Sequence, residues 1–127
     1  VRMLAEDDNL IRASRKLIGM VGCQTLIIKK GENGVLAFHG DDMIALPAYP
    51  TENVVDPTGC GDSFAGTIAA CLAANNGPIS KSELRDALIR ATVTASFTLE
   101  SFGTSGLIGL TLEKFKLRLA QFEEILS

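Results

Sequence analysis

A glycine-rich turn that opens directly into an apolar helix is the feature that most constrains the fold of this chain. The turn lies in the segment Asn53-Val-Val-Asp-Pro-Thr-Gly-Cys-Gly-Asp-Ser-Phe-Ala-Gly66. Gly59 and Gly61 permit a tight turn and leave the neighbouring amides accessible to an anion. A helix predicted to begin near Ser63 would direct further N–H groups, and the positive end of its dipole, at the same place. The segment therefore predicts a phosphate-binding turn at the start of a helix.

One carboxylate, that of Asp62, stands inside this predicted anion site. Phosphate repels a carboxylate, so its presence indicates a task such as accepting the proton of an attacking hydroxyl. The alternative is a glycine turn with an aspartate that caps the helix. Two common phosphate loops do not fit. The P-loop requires Lys-Ser or Lys-Thr after its last glycine, and the dinucleotide fingerprint requires a small residue where Phe64 stands.

The segment resembles the second signature of the PfkB/ribokinase family of carbohydrate kinases, whose core is Asp-x-Thr-Gly-Ala-Gly-Asp. The matching residues are Asp56, Thr58, Gly59, Gly61 and Asp62, and Cys60 replaces the usual alanine. The resemblance implies that Asp62 is the catalytic base that activates the acceptor hydroxyl. It also implies that the amides of residues 59–62 form the anion hole for the γ-phosphoryl group of ATP.

A second segment predicts a β-hairpin, because two apolar runs beginning at Thr25 and Val35 flank a polar turn that contains Asn-Gly. Such turns are ubiquitous, and this one alone would say little about function. In the PfkB/ribokinase family, a hairpin of this type lies beside the nucleotide. The resemblance therefore implies that Lys29, Gly31 and Gly34 bind the nucleotide.

A third segment, residues 94–106, leaves a helix and enters a glycine-rich loop. Many family members bind a monovalent cation, usually K⁺, between the Asp-x-Thr residues and a loop in this position. The resemblance assigns this ligand set to Asp56, Thr58, Thr98, Ser101 and Gly103. Oxygen ligands suit such a hard cation. The chain departs from the family pattern at residues 100–102, where Glu-Ser-Phe replaces a small, alanine-rich stretch.

Composition excludes several classes of function. The 127 residues carry a net charge of −3 and no basic cluster, which disfavours binding to nucleic acid or to an anionic membrane. The longest apolar stretch, residues 64–74, is too short to cross a bilayer, for which about twenty residues are needed. Three cysteines without metal-ligand spacing disfavour disulfides and zinc. We therefore predict a soluble, cytoplasmic protein.

The predicted elements alternate between helices and strands. Asn9 and the Ser80/Glu83 capping box are predicted to start helices, and an alanine-rich helix after Ser63 is predicted to be buried on most sides. Strands are predicted at residues 26–29, 35–38, 43–46 and 53–55. The predicted apolar faces of the last two helices are Leu84, Leu88, Ala91, Ala95 and Leu99, and then Leu112, Phe115, Leu119, Phe122 and Leu126.

By resemblance, the fold is α/β, a ribokinase-like three-layer α/β/α sandwich, of which residues 1–127 form the C-terminal portion as a single domain. The N-terminal strands and the lid of the family would lie before Val1, as would its Asn-x-x-Glu motif, which is tied to magnesium and phosphate. A sheet without those strands would expose an edge, so we expect a homodimer or a longer natural protein.

The predicted function is phosphoryl transfer from ATP, with Mg²⁺, to a hydroxyl of a sugar or sugar-like substrate. Two alternatives remain open. A nucleoside kinase of the same family would share these motifs and differ in the lid. A catalytically silent nucleotide-binding fragment that acts by association would bind ATP without forming a phosphorylated product.

Overall fold

The computed structural model describes residues 9–22, 24–51, 60–73, 78–100 and 109–127. The chain divides into two compact units, Val1–Pro47 and Ala48–Ser127. Its elements, in chain order, are helix α1 (Leu10–Val21), strands β1 (Thr25–Lys29), β2 (Val35–His39) and β3 (Asp42–Leu46), and helices α2 (Cys60–Ala73), α3 (Lys81–Leu99) and α4 (Leu112–Leu126). The three strands confirm the predicted ones to within one residue at each end, and the fourth, at 53–55, lies outside the described residues.

Helix α1 begins where the sequence predicts, because the Asn9 side chain accepts a hydrogen bond from the Arg12 amide at 3.0 Å. It ends at Gly22, whose left-handed backbone (φ 69°) directs its N–H to the carbonyl of Ile18. Helix α1 contacts β1, and the guanidinium of its Arg15 lies 5.3 Å from the centre of the Phe38 ring of β2.

The sheet of the first unit is antiparallel, with the strand order β1-β2-β3. Its central strand is buried throughout residues 35–38, which accounts for a continuous apolar run rather than an alternating one. His39 is the last residue of β2, and its Nδ1 lies 2.6 Å from the hydroxyl oxygen of Thr25 on β1. This contact joins β1 and β2 at the end of the strand pair that is farthest from the 30–34 turn.

Helix α3 is the centre of the second unit and contacts both α2 and α4. The predicted N-cap is present, and the Ser80 and Glu83 side chains meet: the Ser80 hydroxyl accepts from the Glu83 amide at 3.2 Å and donates to the Glu83 carboxylate at 3.1 Å. The buried surface of α3 is wider than the single predicted face and includes Ala87, Ile89, Thr92, Val93, Ser96 and Thr98. Its contacts with a helix on either side explain the greater width.

Two expectations about helix faces were wrong in part. Helix α2 buries Phe64 and Ile68, but its small residues at 65, 66, 69 and 70 are exposed, so it is not buried on most sides. In α4, Phe122 is fully buried, whereas Leu112 is 67% exposed because it lies in the first turn, at the N-terminal end of the helix. No helix in the described parts of the chain has the length and apolar character needed to span a bilayer.

Candidate active site

The proposed base, Asp62, lies on the exposed surface of the first turn of α2. Burial in hydrocarbon or an ion pair with an arginine would have removed it from any reaction at this turn. Neither is found: Asp62 is exposed, and the Arg118–Glu100 ion pair of this unit does not involve it. The Asp62 carboxylate is therefore accessible at the positive end of a helix.

Helix α2 begins at Cys60, three residues before the predicted start. The amides of Cys60, Gly61 and Asp62 thus belong to the first turn, where N–H groups have no partner within the helix. Gly61 is exposed, like Asp62. Two predicted anion-hole residues, Cys60 and Gly61, therefore lie in the same helical turn as Asp62, which is both the third and the proposed base. The fourth, Gly59, lies outside the described residues.

The predicted hairpin is present, and its five-residue connection is built around a short 3₁₀ turn, Gly31–Asn33. The Lys30 amide donates to the carbonyl of Gly34 at 2.8 Å, and the Gly34 amide donates to that of Gly31 at 3.2 Å. Lys29 is exposed at the end of β1, directly before this turn. Lys29, Gly31 and Gly34 therefore share one hairpin of the first unit.

The two glycines of this turn have different reasons to be glycine. At Gly34 (φ 89°), a Cβ would overlap the carbonyl oxygen of Leu46 and come within 2.9 Å of the Pro47 Cα. At Gly31 (φ 57°), nothing lies within 4 Å of the position that a Cβ would occupy. Gly34 is thus explained by its close approach to the end of β3, whereas the space beside Gly31 is open.

Of the five predicted cation ligands, one falls within the described residues: Thr98, near the end of α3. Its side chain is fully buried, and its hydroxyl oxygen has no hydrogen-bond partner among the described residues. A buried hydroxyl without a partner is costly, and a hard cation is one group that would satisfy its oxygen. Asp56, Thr58, Ser101 and Gly103 lie outside the described residues. Within those that are described, no three His, Cys, Asp or Glu side chains cluster as a metal site would require.

A cluster centred on Arg118 of α4 was missed by the sequence analysis. The Arg118 guanidinium pairs with the Glu100 carboxylate at 2.8 Å and donates to the Ser96 hydroxyl at 3.0 Å. It also lies 3.9 Å from the centre of the Phe97 ring and 5.0 Å from that of Tyr49. One signal was available, since residue 118 falls on the same helical face as the apolar residues 115 and 122.

Comparison with known proteins agrees with the expected family. The family model for pfkB family carbohydrate kinase matches residues 2–108. The bifunctional protein HldE of Sodalis glossinidius (strain morsitans) is 32% identical over 109 residues, which are 85% of this chain and 21% of that protein. The cytidine kinase of Thermococcus kodakarensis is 41% identical over 70 residues, 54% of this chain and 24% of that protein.

The fold also matches a solved structure, that of aminoimidazole riboside kinase from Salmonella enterica complexed with aminoimidazole riboside and an ATP analog. The TM-score is 0.76 at 26% identity, and the match covers 93% of this chain and 38% of that one. The expected ribokinase-like α/β fold is confirmed, with this chain corresponding to part of it. The chain spans between one fifth and two fifths of the lengths of these proteins.

Proposed function

The chain belongs to the pfkB family of carbohydrate kinases, and we propose that it transfers the γ-phosphoryl group of ATP to a hydroxyl of a sugar or sugar-like substrate. We propose further that it forms the C-terminal part of the kinase domain, since its relatives are about two to four times as long. The observation that carries the proposal is the exposed Asp62 carboxylate in the first turn of α2.

In the proposed reaction, Asp62 accepts the proton of the acceptor hydroxyl as its oxygen bonds to the γ-phosphorus. The bond between that phosphorus and the β–γ bridging oxygen breaks, and ADP leaves with its electron pair. The amides of Gly59, Cys60, Gly61 and Asp62 stabilise the charge on the transferring group, aided by the dipole of α2. Because such a reaction needs little covalent chemistry from the protein, positioning and electrostatics account for most of the acceleration.

We propose that two cations assist this reaction. Mg²⁺ bound to ATP would neutralise charge on the phosphates. A monovalent cation, K⁺ by preference, would be held by Asp56, Thr58, Thr98, Ser101 and Gly103, and the unpartnered Thr98 hydroxyl supports this assignment. Lys29, Gly31 and Gly34 are proposed to bind the nucleotide, with Gly31 offering the open space.

A nucleoside acceptor is the second candidate. It is favoured by the 41% identity to a cytidine kinase and by the likeness to a kinase whose structure contains a riboside. Sugar and nucleoside kinases of this family would use the same base and anion hole. The acceptor must therefore be identified by experiment rather than from these residues.

The test is detection of a phosphorylated product. The natural protein that contains this chain would be incubated with Mg-ATP and, separately, ribose, fructose, ketodeoxygluconate, adenosine and cytidine, with products identified by mass spectrometry. We expect one class of acceptor to be phosphorylated with stoichiometric release of ADP. Stabilisation of the protein by ATP without product from any acceptor would instead support the silent nucleotide-binding alternative.

A further inference from the structure

An open cleft lies between α3 and the end of α4 in the second unit. Its volume is about 180 Å³, and it is lined by Arg85 and Ile89 of α3, by Glu123 and Leu126 of α4, and by Ser127, which caps α4. Ile89 is 2% exposed and Leu126 is half-buried, so these two residues give the cleft an apolar floor. Arg85 and Glu123 are exposed and bring opposite charges to it, one from each helix.

Both charged groups of this cleft are available for pairing. Within the described parts of the chain, neither the Arg85 guanidinium nor the Glu123 carboxylate has an ion-pair or hydrogen-bond partner. Farther along the same pair of helices, Arg118 of α4 does pair with Glu100, the residue that follows α3, at 2.8 Å. The arginine and the glutamate of the cleft are therefore each free to pair with a group of another molecule.

The size and the exposure of the cleft favour a protein surface over a small molecule as its occupant. Small-molecule sites typically enclose about 300–1,000 Å³ and bury most of the ligand, whereas this cleft is smaller and its charged walls are exposed. Protein interfaces have an apolar centre and a polar rim, which Ile89 and Leu126, and then Arg85 and Glu123, supply. Ile125, next to Leu126 in the sequence, adds a large apolar side chain that is 52% exposed.

The charge pattern of the cleft is complementary to itself. In a dimer with two-fold symmetry, the same patch stands on both sides, and a contact of residue i with residue j is repeated as j with i. If the cleft of one copy faces that of another, Arg85 of each copy lies opposite Glu123 of the partner subunit, which gives two ion pairs around one apolar centre. A patch with a single sign of charge would instead repel its own copy.

We propose that the cleft lined by Arg85 and Glu123 is the centre of a homodimer interface, in which each Arg85 pairs with Glu123 of the partner subunit and Ile125 covers the partner's apolar floor. Because exposed ion pairs add little affinity, the two pairs set the register and the apolar contact holds the subunits together. This surface differs from the open sheet edge that the sequence suggests as a dimer contact. Helix α4 lies beyond residues 2–108, the part that the family model matches. The interface is thus inferred as a feature of this chain, and it does not depend on the proposed function.

The first test is sedimentation velocity of the natural protein over a range of concentrations, without nucleotide. We expect the parent protein to associate, and Arg85→Glu and Glu123→Arg each to weaken association at least about tenfold, because each places like charges opposite one another at two points. Ile125→Asp should also weaken it, because it brings a charge into the apolar centre. A parent protein that stays monomeric, or variants that associate like the parent, would overturn the proposal.

The matched control is Arg90→Glu, which makes the same change at an exposed arginine of α3 that does not line the cleft. It should leave association unchanged. All four substitutions are at exposed positions, so their unfolding temperatures, measured at a concentration where the parent is monomeric, should match that of the parent. Equal weakening by Arg90→Glu would mean that net charge, rather than this cleft, governs association.

Mixing the two charge variants separates pairing between copies from pairing within one copy. Arg85→Glu has two acids in its cleft and Glu123→Arg has two bases, so a mixed dimer regains both ion pairs, one of them with its charges exchanged. We expect the mixture to associate about as tightly as the parent protein, although each variant alone associates weakly. If the mixture were no tighter than its components, while the double variant Arg85→Glu/Glu123→Arg behaved like the parent, the pair would form within one chain and the proposal would be wrong.

Discussion

At the scale of single residues, the backbone conformation at Gly34 restricts which amino acid can occupy the position. Its φ of 89° and ψ of −147° lie in a region that is open essentially to glycine, and a Cβ would overlap the carbonyl of Leu46. We expect Gly34→Ala to destabilise the protein by about 2–5 kcal/mol, from backbone strain and overpacking together.

Gly31→Ala is the matched comparison, because Gly31 also has positive φ but open space before it. It should cost only about 1–2 kcal/mol, the strain of a left-handed alanine. Urea unfolding of both variants measures the difference. Equal losses of unfolding free energy would mean that the contact with Leu46 does not explain Gly34.

Thr98 offers a residue-scale test of the proposed cation. Without the cation, Thr98→Val should be at least as stable as the parent protein, because it removes a buried hydroxyl that has no partner among the described residues. With K⁺, the parent should gain thermal stability relative to tetramethylammonium at equal ionic strength, and Thr98→Val should lose most of that gain. If K⁺ raised both unfolding temperatures equally, Thr98 would not be a ligand.

What the sequence could predict at this scale was set by local chemistry. The positions of Asp62 at a helix start and of Gly31 and Gly34 in a hairpin turn could be predicted because turns and helix starts demand particular residues over a few positions; their roles in catalysis and nucleotide binding stay predictions. Arg118 was missed because its partners, Ser96, Glu100 and Tyr49, are brought to it by helix packing. An arginine on an apolar helix face indicates an enclosed charge, but it does not identify the carboxylate or hydroxyl group that pairs with it.

At the scale of elements, the start of α3 depends on one side chain. The Ser80 hydroxyl accepts from the Glu83 amide and also bonds to the Glu83 carboxylate. We expect Ser80→Ala to lower the free energy of unfolding by about 1 kcal/mol, and Ser80→Asp, which can still cap, to stay within about 0.5 kcal/mol of the parent. Urea unfolding tests both. An equal loss in the two variants would count against a role for the cap.

Helix and strand positions were predicted well because caps, turns and apolar periods are local signals. Helix faces were predicted less well. Helix α3 is buried more widely than its periodic stripe because it packs on both α2 and α4. Leu112 matches the stripe of α4 but remains 67% exposed in the first turn. Periodicity predicts which residues share a face, whereas the length of the contact depends on where the neighbouring helix ends.

At the scale of the whole molecule, the described residues include the proposed base and part of the proposed anion hole. They do not identify the substrate that accepts the phosphoryl group. The chain spans 21% of a bifunctional HldE and 38% of a riboside kinase, so acceptor specificity is expected to depend on residues beyond it. The homodimer expected from the sequence, and the single domain, stay predictions. Activity experiments should accordingly use the natural protein that contains this chain.

The most direct test of the central claim is the rate of a single turnover of phosphoryl transfer by Asp62→Asn, with Asp86→Asn, an exposed aspartate of α3, as the control. If Asp62 accepts the hydroxyl proton, Asp62→Asn should slow the transfer by about 10²–10⁴-fold while the Kd for ATP changes little, and Asp86→Asn should react like the parent. Transfer at the parental rate by Asp62→Asn would contradict the account.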